Sequence, residues 1–402
     1  LALARNPTIG QALATLNQTR ALSGLALYSW FPSVTVHNEQ ERSRQSALDP
    51  FGFPAQGTTQ RYRTGFDTVW EIDLFGRLRR QEEAIRRLVE ADTAALGDVR
   101  LSIVAEVAQT YFALRGSQQR LVVQQRNLDN VIDNTRILEA SLQAGRGTAL
   151  DVARARALER SWAALVPQTQ AAIARSEQRL GVLTAQPVTQ LRSRLAAGRE
   201  LPPMPELVAV GTPQQWLRRR PDVRAAERRL AVAVSGIGVE ISEYYPRLTL
   251  LGDFGWTGRQ RGDIGSAEAE RWRVAPLIAW RIPDFGRIRQ MVLAAQADAQ
   301  GAYAAFEATL LRALEEAENG LAGYRAASLT TEALAQAVDE SRIASGLARL
   351  RFDNGASDYL TVLDAERTQL ELEDRYAIAV ADRATALAAL YKALGGDFAA
   401  PP

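Results

Sequence analysis

The stretch Tyr62-Arg63-Thr64-Gly65-Phe66-Asp67-Thr68-Val69-Trp70-Glu71-Ile72-Asp73-Leu74-Phe75-Gly76-Arg77 decides the fold. Its hydrophobic period is two. Tyr62, Phe66, Trp70, Ile72 and Leu74 fall on one side of an extended chain, and Arg63, Asp67, Glu71 and Asp73 on the other. After Gly76 the pattern turns helical, rich in Ala, Glu, Gln and Arg. The strand therefore has one apolar and one charged face and runs directly into a helix.

The same text recurs 210 residues later. Trp70, Ile72, Phe75, Gly76, Arg77 and Arg79 return as Trp280, Ile282, Phe285, Gly286, Arg287 and Arg289, and Gly145, Leu150, Val152, Ala155 and Leu180 as Gly355, Leu360, Val362, Ala365 and Leu390. A period this long marks two related halves, since solenoid units are about 20 to 50 residues. The expected repeats are residues 1–200 and 201–402, joined at Leu201-Pro202-Pro203-Met204-Pro205, which neither a helix nor a central strand tolerates. Each repeat carries a hairpin. The first has strands at about 33–43 and 62–75, joined by a loop containing Asp49-Pro50-Phe51-Gly52, and the second at about 248–257 and 271–282.

Long helices follow the strands. Val107, Leu114, Leu121, Leu128 and Leu142 hold one seven-residue row, interrupted by Thr135, as coiled-coil packing requires. The pattern predicts a helix over about 76–142, about 100 Å long at 1.5 Å per residue, and a twin over about 286–352. Glycine turns end both, Ala144-Gly145-Arg146-Gly147 and Asp353-Asn354-Gly355-Ala356, before shorter return helices at about 148–184 and 358–394. A further short helix precedes each hairpin, one from Leu1 to Tyr28 and one opening at Pro221. The chain starts at Leu1 on what reads as the middle of a helix, so a preceding segment with a signal or lipid anchor is expected.

Composition narrows the function. The 48 basic and 46 acidic residues leave a net charge of +2, too little to neutralise many phosphates, so nucleic acid is not an expected partner. Zero cysteines and a single histidine, His37, exclude disulfides, thiolate metal sites and most Ser-His-Asp chemistry. No phosphate loop, dinucleotide fingerprint or nucleophile elbow is present, and Gly236-Ile237-Gly238 lies inside a helical pattern. The carboxylates Glu315, Glu316, Glu318, Asp364, Glu366, Glu371, Glu373 and Asp374 sit among arginines on long helices and read as solvated faces. No cofactor, no metal site and no enzymatic activity are expected. No run of 18 apolar residues exists, so no membrane-spanning helix is encoded.

The strands are another matter. On a soluble core their tryptophans would need a covering layer, and lipid is the better cover. Ten to thirteen residues suffice for a tilted barrel strand to cross a bilayer, apolar side chains outward and charges toward a wet lumen. Four strands cannot close a barrel, so several chains must share one. Phe66, Trp70, Trp272, Ile278 and Trp280 are expected to touch lipid, and Arg63, Asp67, Glu71, Arg271 and Arg273 to line the pore. Pro276 reads as a bulge or kink, and His37 as a lumen or loop side chain.

These motifs carry a resemblance. The segment Trp70 to Arg77, the linker Leu201 to Pro205, the run Leu217-Arg218-Arg219-Arg220-Pro221-Asp222-Val223-Arg224-Ala225-Ala226-Glu227 and the stretch Tyr359-Leu360-Thr361-Val362-Leu363-Asp364-Ala365 through Tyr391-Lys392-Ala393-Leu394-Gly395-Gly396 resemble the TolC-like outer-membrane efflux channels, most closely the OprM/NodT-type lipoproteins. The resemblance covers essentially the whole chain. It implies a mainly α protein with β, a homotrimer whose twelve-stranded outer-membrane β-barrel continues as a periplasmic α-helical barrel. It further implies a passive exit duct serving a periplasmic adaptor and an inner-membrane RND transporter, with acylation on the preceding segment.

Two further sites follow. The turns at Gly145, Gly147, Gly355, Ala356 and Ser357 end the long helices away from the strands, where adaptor hairpins would dock. The resemblance places a periplasmic constriction at Leu360 and Asp364, which share a helix face; Asp151 and Arg154 hold the corresponding place in the first half, where an Asp364–Arg154 bridge would hold the tip shut. Drug-like cargo is favoured over metal ions because the chain has no Cys, one His and only Met204 and Met291 as thioethers. The alternatives are a metal-ion or type I secretion duct and, in another class, a soluble coiled-coil scaffold, which leaves the tryptophan-bearing strands unexplained.

Overall fold

The computed structural model describes residues 1–44, 46, 57–195, 201 and 211–396. The loop segment Asp49-Pro50-Phe51-Gly52 and the linker residues Pro202, Pro203, Met204 and Pro205 lie outside the described residues. In chain order the elements are α1 (Ala2–Arg5), α2 (Pro7–Tyr28), β1 (Ser33–Arg44), β2 (Thr58–Ile72), α3 (Arg77–Gln143), α4 (Ala149–Thr184), α5 (Val188–Leu195), α6 (Pro213–Arg219), α7 (Pro221–Ser242), β3 (Arg247–Gly258), β4 (Glu270–Ala279), α8 (Phe285–Asp353) and α9 (Tyr359–Ala393). They form two compact units, each drawing on both sequence repeats. One comprises residues 14–93 and 225–307, the other 1–13, 94–224 and 308–402.

The first unit holds the sheet, a four-stranded antiparallel meander in the order β1-β2-β3-β4. Its register aligns like with like. Val36, Phe66, Phe254 and Trp272 form one row across all four strands, and Ile72, Leu248 and Ile278 form another on the same side. The opposite side carries His37, Arg63, Asp67, Asp253, Arg271 and Arg273, because a strand turns successive side chains to opposite faces. The apolar side is uncovered within the chain: Val36 is 80% exposed and Trp272 72%.

Pro276 corrects the sequence reading. It pairs with Leu250 in a register that runs unbroken from Arg247↔Ala279 to Trp256↔Glu270, so no bulge is present. Because β4 is an edge strand, a residue without an N–H fits there without breaking the ladder to β3. The strand stops at Ala279, where Arg281 leaves the extended region (φ −93°, ψ 61°) and a 3-10 turn, Ile282–Asp284, leads into α8. The N-terminal helix is also interrupted. Asn6 is extended, and its Oδ1 accepts from the backbone N–H of Thr8 at 2.9 Å and of Ile9 at 3.3 Å, capping a helix that starts at Pro7.

The strand-to-helix junctions use the same parts in both repeats. Trp70 Nε1 donates to the Trp30 carbonyl at 2.9 Å, and Trp280 Nε1 to the Tyr244 carbonyl at 3.0 Å. Phe75 stacks on Tyr245 at 4.9 Å, and Phe285 packs against Tyr244 at 5.7 Å. Each indole thus keeps its polar atom satisfied while its ring stays on the apolar side.

The second unit is helical. Leu114, Leu180 and Leu191 join α3, α4 and α5; Val131, Trp162 and Leu370 join α3, α4 and α9; Trp216, Ala317, Tyr324, Leu387 and Leu390 join α6, α8 and α9. Three carboxylates of α9 depart from the solvated-face expectation, Glu366 being half-buried. Glu373 and Asp374 on α9 are 5% and 8% exposed. Asp374 is gripped in bidentate fashion by Arg120 of α3 at 2.7 Å and accepts from Gln124 at 2.9 Å, while Glu373 takes Arg126 of α3 and Arg342 of α8. Arginines supplied by neighbouring helices are what make burial of these charges tolerable, and a one-dimensional charge pattern cannot show that.

Candidate functional site

Three surfaces carry the sequence-predicted site residues. The first is the charged side of the sheet. Asp67 and Asp253 are direct cross-strand partners, a like-charge pair that is unfavourable unless cations bridge it. Asp253, 9% exposed, takes Arg273 Nε at 2.9 Å and also Arg271. Asp67 lies 3.0 Å from His37 Nδ1 and 3.8 Å from Arg63. Glu71 stands apart from this cluster, held by both Arg77 Nε at 2.8 Å and Nη2 at 2.7 Å where the strand becomes helix. Asp253 was not singled out from the sequence, although a lone carboxylate in the otherwise uncharged segment Leu248 to Gly258 was a legible signal.

On the other side Phe66 sits against Phe254, ring centroids 5.7 Å apart, with Trp272 and Ile278 exposed on the edge strand. Trp70 and Trp280 occupy the helix-proximal end of the same side. Only lipid, or a partner as apolar as lipid, can remove this surface from water.

The second surface is the pair of helix-ending turns. Gly145 and Gly355 adopt φ of 73° and 67°, the left-handed conformation that a side chain resists. Arg146 N–H bonds Ser141 O at 2.9 Å and Gly145 N–H bonds Leu142 O at 2.9 Å; in the second repeat Ala356 N–H bonds Arg351 O and Gly355 N–H bonds Phe352 O, both at 2.8 Å. These paired bonds close the last helical carbonyls in the same way twice. Thr148 and Asp358 then cap the return helices, accepting from Asp151 N–H and Thr361 N–H at 3.2 Å each. At one further position the repeats differ in packing: a Cβ at Gly147 would lie 3.1 Å from Leu142 N, whereas its counterpart Ser357 buries a hydroxyl without a hydrogen-bond partner.

The third surface lies between α4 and α9. Leu360 and Asp364, one helical turn apart, line an open cavity of about 360 Å³ together with Arg154, Leu158 and Arg367. Asp364 is bonded by Arg367 of its own helix at 2.8 Å, so the expected bridge to Arg154 is not made inside the chain. Asp151 accepts from the Thr148 hydroxyl at 2.6 Å, which fixes it in the turn. Beside this surface the Tyr359 hydroxyl is buried, which pushes its pKa up to about 12, and burial holds the Glu366 carboxyl above the usual carboxylate range although Arg349 donates to it at 3.0 Å. Among the described residues no cluster of three or more His, Asp or Glu could hold a metal ion, and no helix is long and apolar enough to cross a membrane.

A four-stranded meander with one greasy face, running twice into a long helix and a shorter return helix, is also what known proteins with this sequence pattern share. The profile of the outer membrane efflux protein family matches residues 1–186 and 212–396. The chain belongs to that family. The solvent efflux pump outer membrane protein SrpC of Pseudomonas putida is 29% identical over 99% of this chain and 84% of its own length. Nodulation protein T of Rhizobium leguminosarum bv. trifolii is 28% identical over 98% of this chain and 84% of its own. Among solved structures, the outer-membrane channel OprN is 37% identical and superposes with a TM-score of 0.93, covering 98% of this chain and 88% of that one. The family is one of outer-membrane channels and efflux proteins. As an outer membrane efflux protein the chain has an evident use for an uncovered apolar sheet face, and its family profile matches in two segments because the fold is internally repeated.

Proposed function

We propose that three copies of this chain form the passive exit duct of a tripartite efflux system, taking drug-like small molecules from an inner-membrane RND transporter and a periplasmic adaptor to the exterior. The observation that carries the reading is the sheet itself: four strands with two unpaired edges, one uncovered apolar face and one charged face. Three such sheets joined edge to edge make twelve strands, close the barrel and leave no edge exposed. A second observation supports association of the helices. Ile343, Leu347 and Leu350 of α8, at i, i+4 and i+7, are all exposed and form one apolar patch on a single helix face. Covering these three half-exposed side chains against another copy stabilises by about 2–5 kcal/mol per chain, half of the about 1.5–3 kcal/mol each that full burial is worth. Within the trimer, Leu360 and Asp364 form the periplasmic constriction, with Arg154 of the facing return helix as the partner available to Asp364. The glycine turns receive the adaptor. Drug-like cargo fits a family member similar to a solvent efflux protein and a chain without soft metal ligands.

The test is extraction and reconstitution. The protein is expected to leave the membrane only in detergent, to run as a trimer and to conduct ions in a planar bilayer. A water-soluble monomer without conductance would remove the reading.

A further inference from the structure

We propose that His37 is a proton-binding side chain of the barrel lumen whose charge sets the ion selectivity of the duct, and that Arg271 positions it by reaching across the sheet. The lumenal part of this inference rests on the duct reading above. His37, Gly65, Gly255 and Arg271 are successive partners in one row through β1, β2, β3 and β4. Three strand spacings, roughly 14 Å, separate the two outer residues at the backbone. Their side chains nevertheless meet, with Arg271 Nη2 3.1 Å from His37 Nε2. They do so because the two positions between them carry no side chain. A Cβ at Gly65 would lie 2.3 Å from the Phe254 carbonyl oxygen, and one at Gly255 2.2 Å from that of Thr64, so the ladder itself requires glycine there and leaves a trough on the charged face.

The contact fixes the imidazole's state. A guanidinium only donates hydrogen bonds, so Nε2 must be the acceptor, and the proton of the neutral ring sits on Nδ1, facing Asp67 Oδ2 at 3.0 Å. That distance is not matched by an aligned hydrogen bond, and Nδ1 is otherwise unpartnered. Protonation places an N–H on Nε2 against the guanidinium, ending the Arg271 contact while strengthening the one to Asp67. The charged groups facing the ring are Glu39 from its own strand, Arg63 and Asp67 from β2, Asp253 from β3, and Arg271 and Arg273 from β4. Three cations and three carboxylates cancel when His37 is neutral, so its proton leaves +1 per chain and +3 around a trimer. Imidazole is the side chain that makes this change between about pH 5 and 8, and the chain has one.

A single histidine makes the experiment direct. Tag-free trimers labelled with 13C,15N-histidine give one imidazole signal. It is expected to show the Nδ1–H tautomer at pH 8 and to gain its second proton on acidification to pH 5, and Arg271→Leu, which removes the donor to Nε2, is expected to mix the two neutral tautomers. In bilayers under a potassium chloride gradient, the reversal potential of the parent is expected to move toward the chloride potential as pH falls through the same range. His37→Gln, which keeps an acceptor for Arg271 but no titrating proton, should lose that movement. An Nε2–H tautomer at pH 8, or a ring that stays neutral to pH 5, overturns the proton site. A pH-dependent reversal potential that is identical in His37→Gln overturns the selectivity role. Trimers that do not conduct at all would fell the duct reading instead, leaving the tautomer and titration to decide the proton site on their own.

Discussion

Residues 66 and 69 offer the sharpest test of how the sheet meets its surroundings, because they lie three positions apart on one strand and on opposite faces. Phe66 is in the middle of the apolar row, packed on Phe254 at 5.7 Å; Val69 is an aliphatic residue on the charged face. If the apolar face lies in hydrocarbon, Phe66→Arg places a guanidinium near the bilayer midplane, at a cost of about 2–4 kcal/mol. Loss of the aromatic pair adds about 0.5–1.5 kcal/mol, for about 2.5–5.5 kcal/mol per chain, and three chains in a trimer multiply it. Val69→Arg places the same charged side chain on the same strand. On a wet, already charged face it should stay within about 0.5 kcal/mol of the parent. The assay is reversible unfolding from phospholipid vesicles in guanidinium chloride, read by tryptophan fluorescence. Similar losses in both variants would mean that both faces are dry, and two silent variants that no bilayer touches the sheet; either result refutes the reasoning.

Leu360→Ala combined with Asp364→Ala is expected to raise single-channel conductance and to lower cation selectivity of purified trimers, and values unchanged from the parent would place the constriction elsewhere. At the second turn, Ala356→Trp should leave trimers intact and abolish export, with adaptor crosslinking lost; normal crosslinking in that variant would argue against docking there, while Gly355→Val should cost about 1–2 kcal/mol of stability because of its left-handed backbone. In the helical unit, burial holds the Asp98 carboxyl above the usual range, with Asp222 acting in the same direction and Lys392 and Arg220 opposing. A raised folded-state pKa contributes stability that is complete below the unfolded value of about 3.9 and lost as pH rises through the folded one. Asp98→Asn should therefore be more stable than the parent at pH 7, with the advantage vanishing below about pH 4; a variant less stable at pH 7 would reverse the sign.

What the sequence determined by itself is local and periodic. The alternation from Tyr62 to Leu74, its echo from Arg271 onward, the heptad row in α3 and the glycines at 145 and 355 are consequences of backbone geometry repeated residue by residue, and such regularities are written along the chain. They were enough to separate an apolar from a charged sheet face and to locate both helix-ending turns. Pairing across elements was not legible. Nothing near Glu373 and Asp374 distinguishes them from the solvated Glu315 or Glu371; Arg120, Arg126 and Arg342 reach them only once α3, α8 and α9 pack side by side. Nothing near Pro276 says that its strand is an edge, which is why a bulge was expected where the register runs straight. His37 and Arg271 are 234 positions apart, and their meeting depends on two glycines in two other strands falling in the same row. Register is set by the whole sheet at once, because shifting any strand by one residue would turn its apolar set to the charged side. That collective choice, made only in the tertiary structure, is what assembled the His37–Arg271 contact.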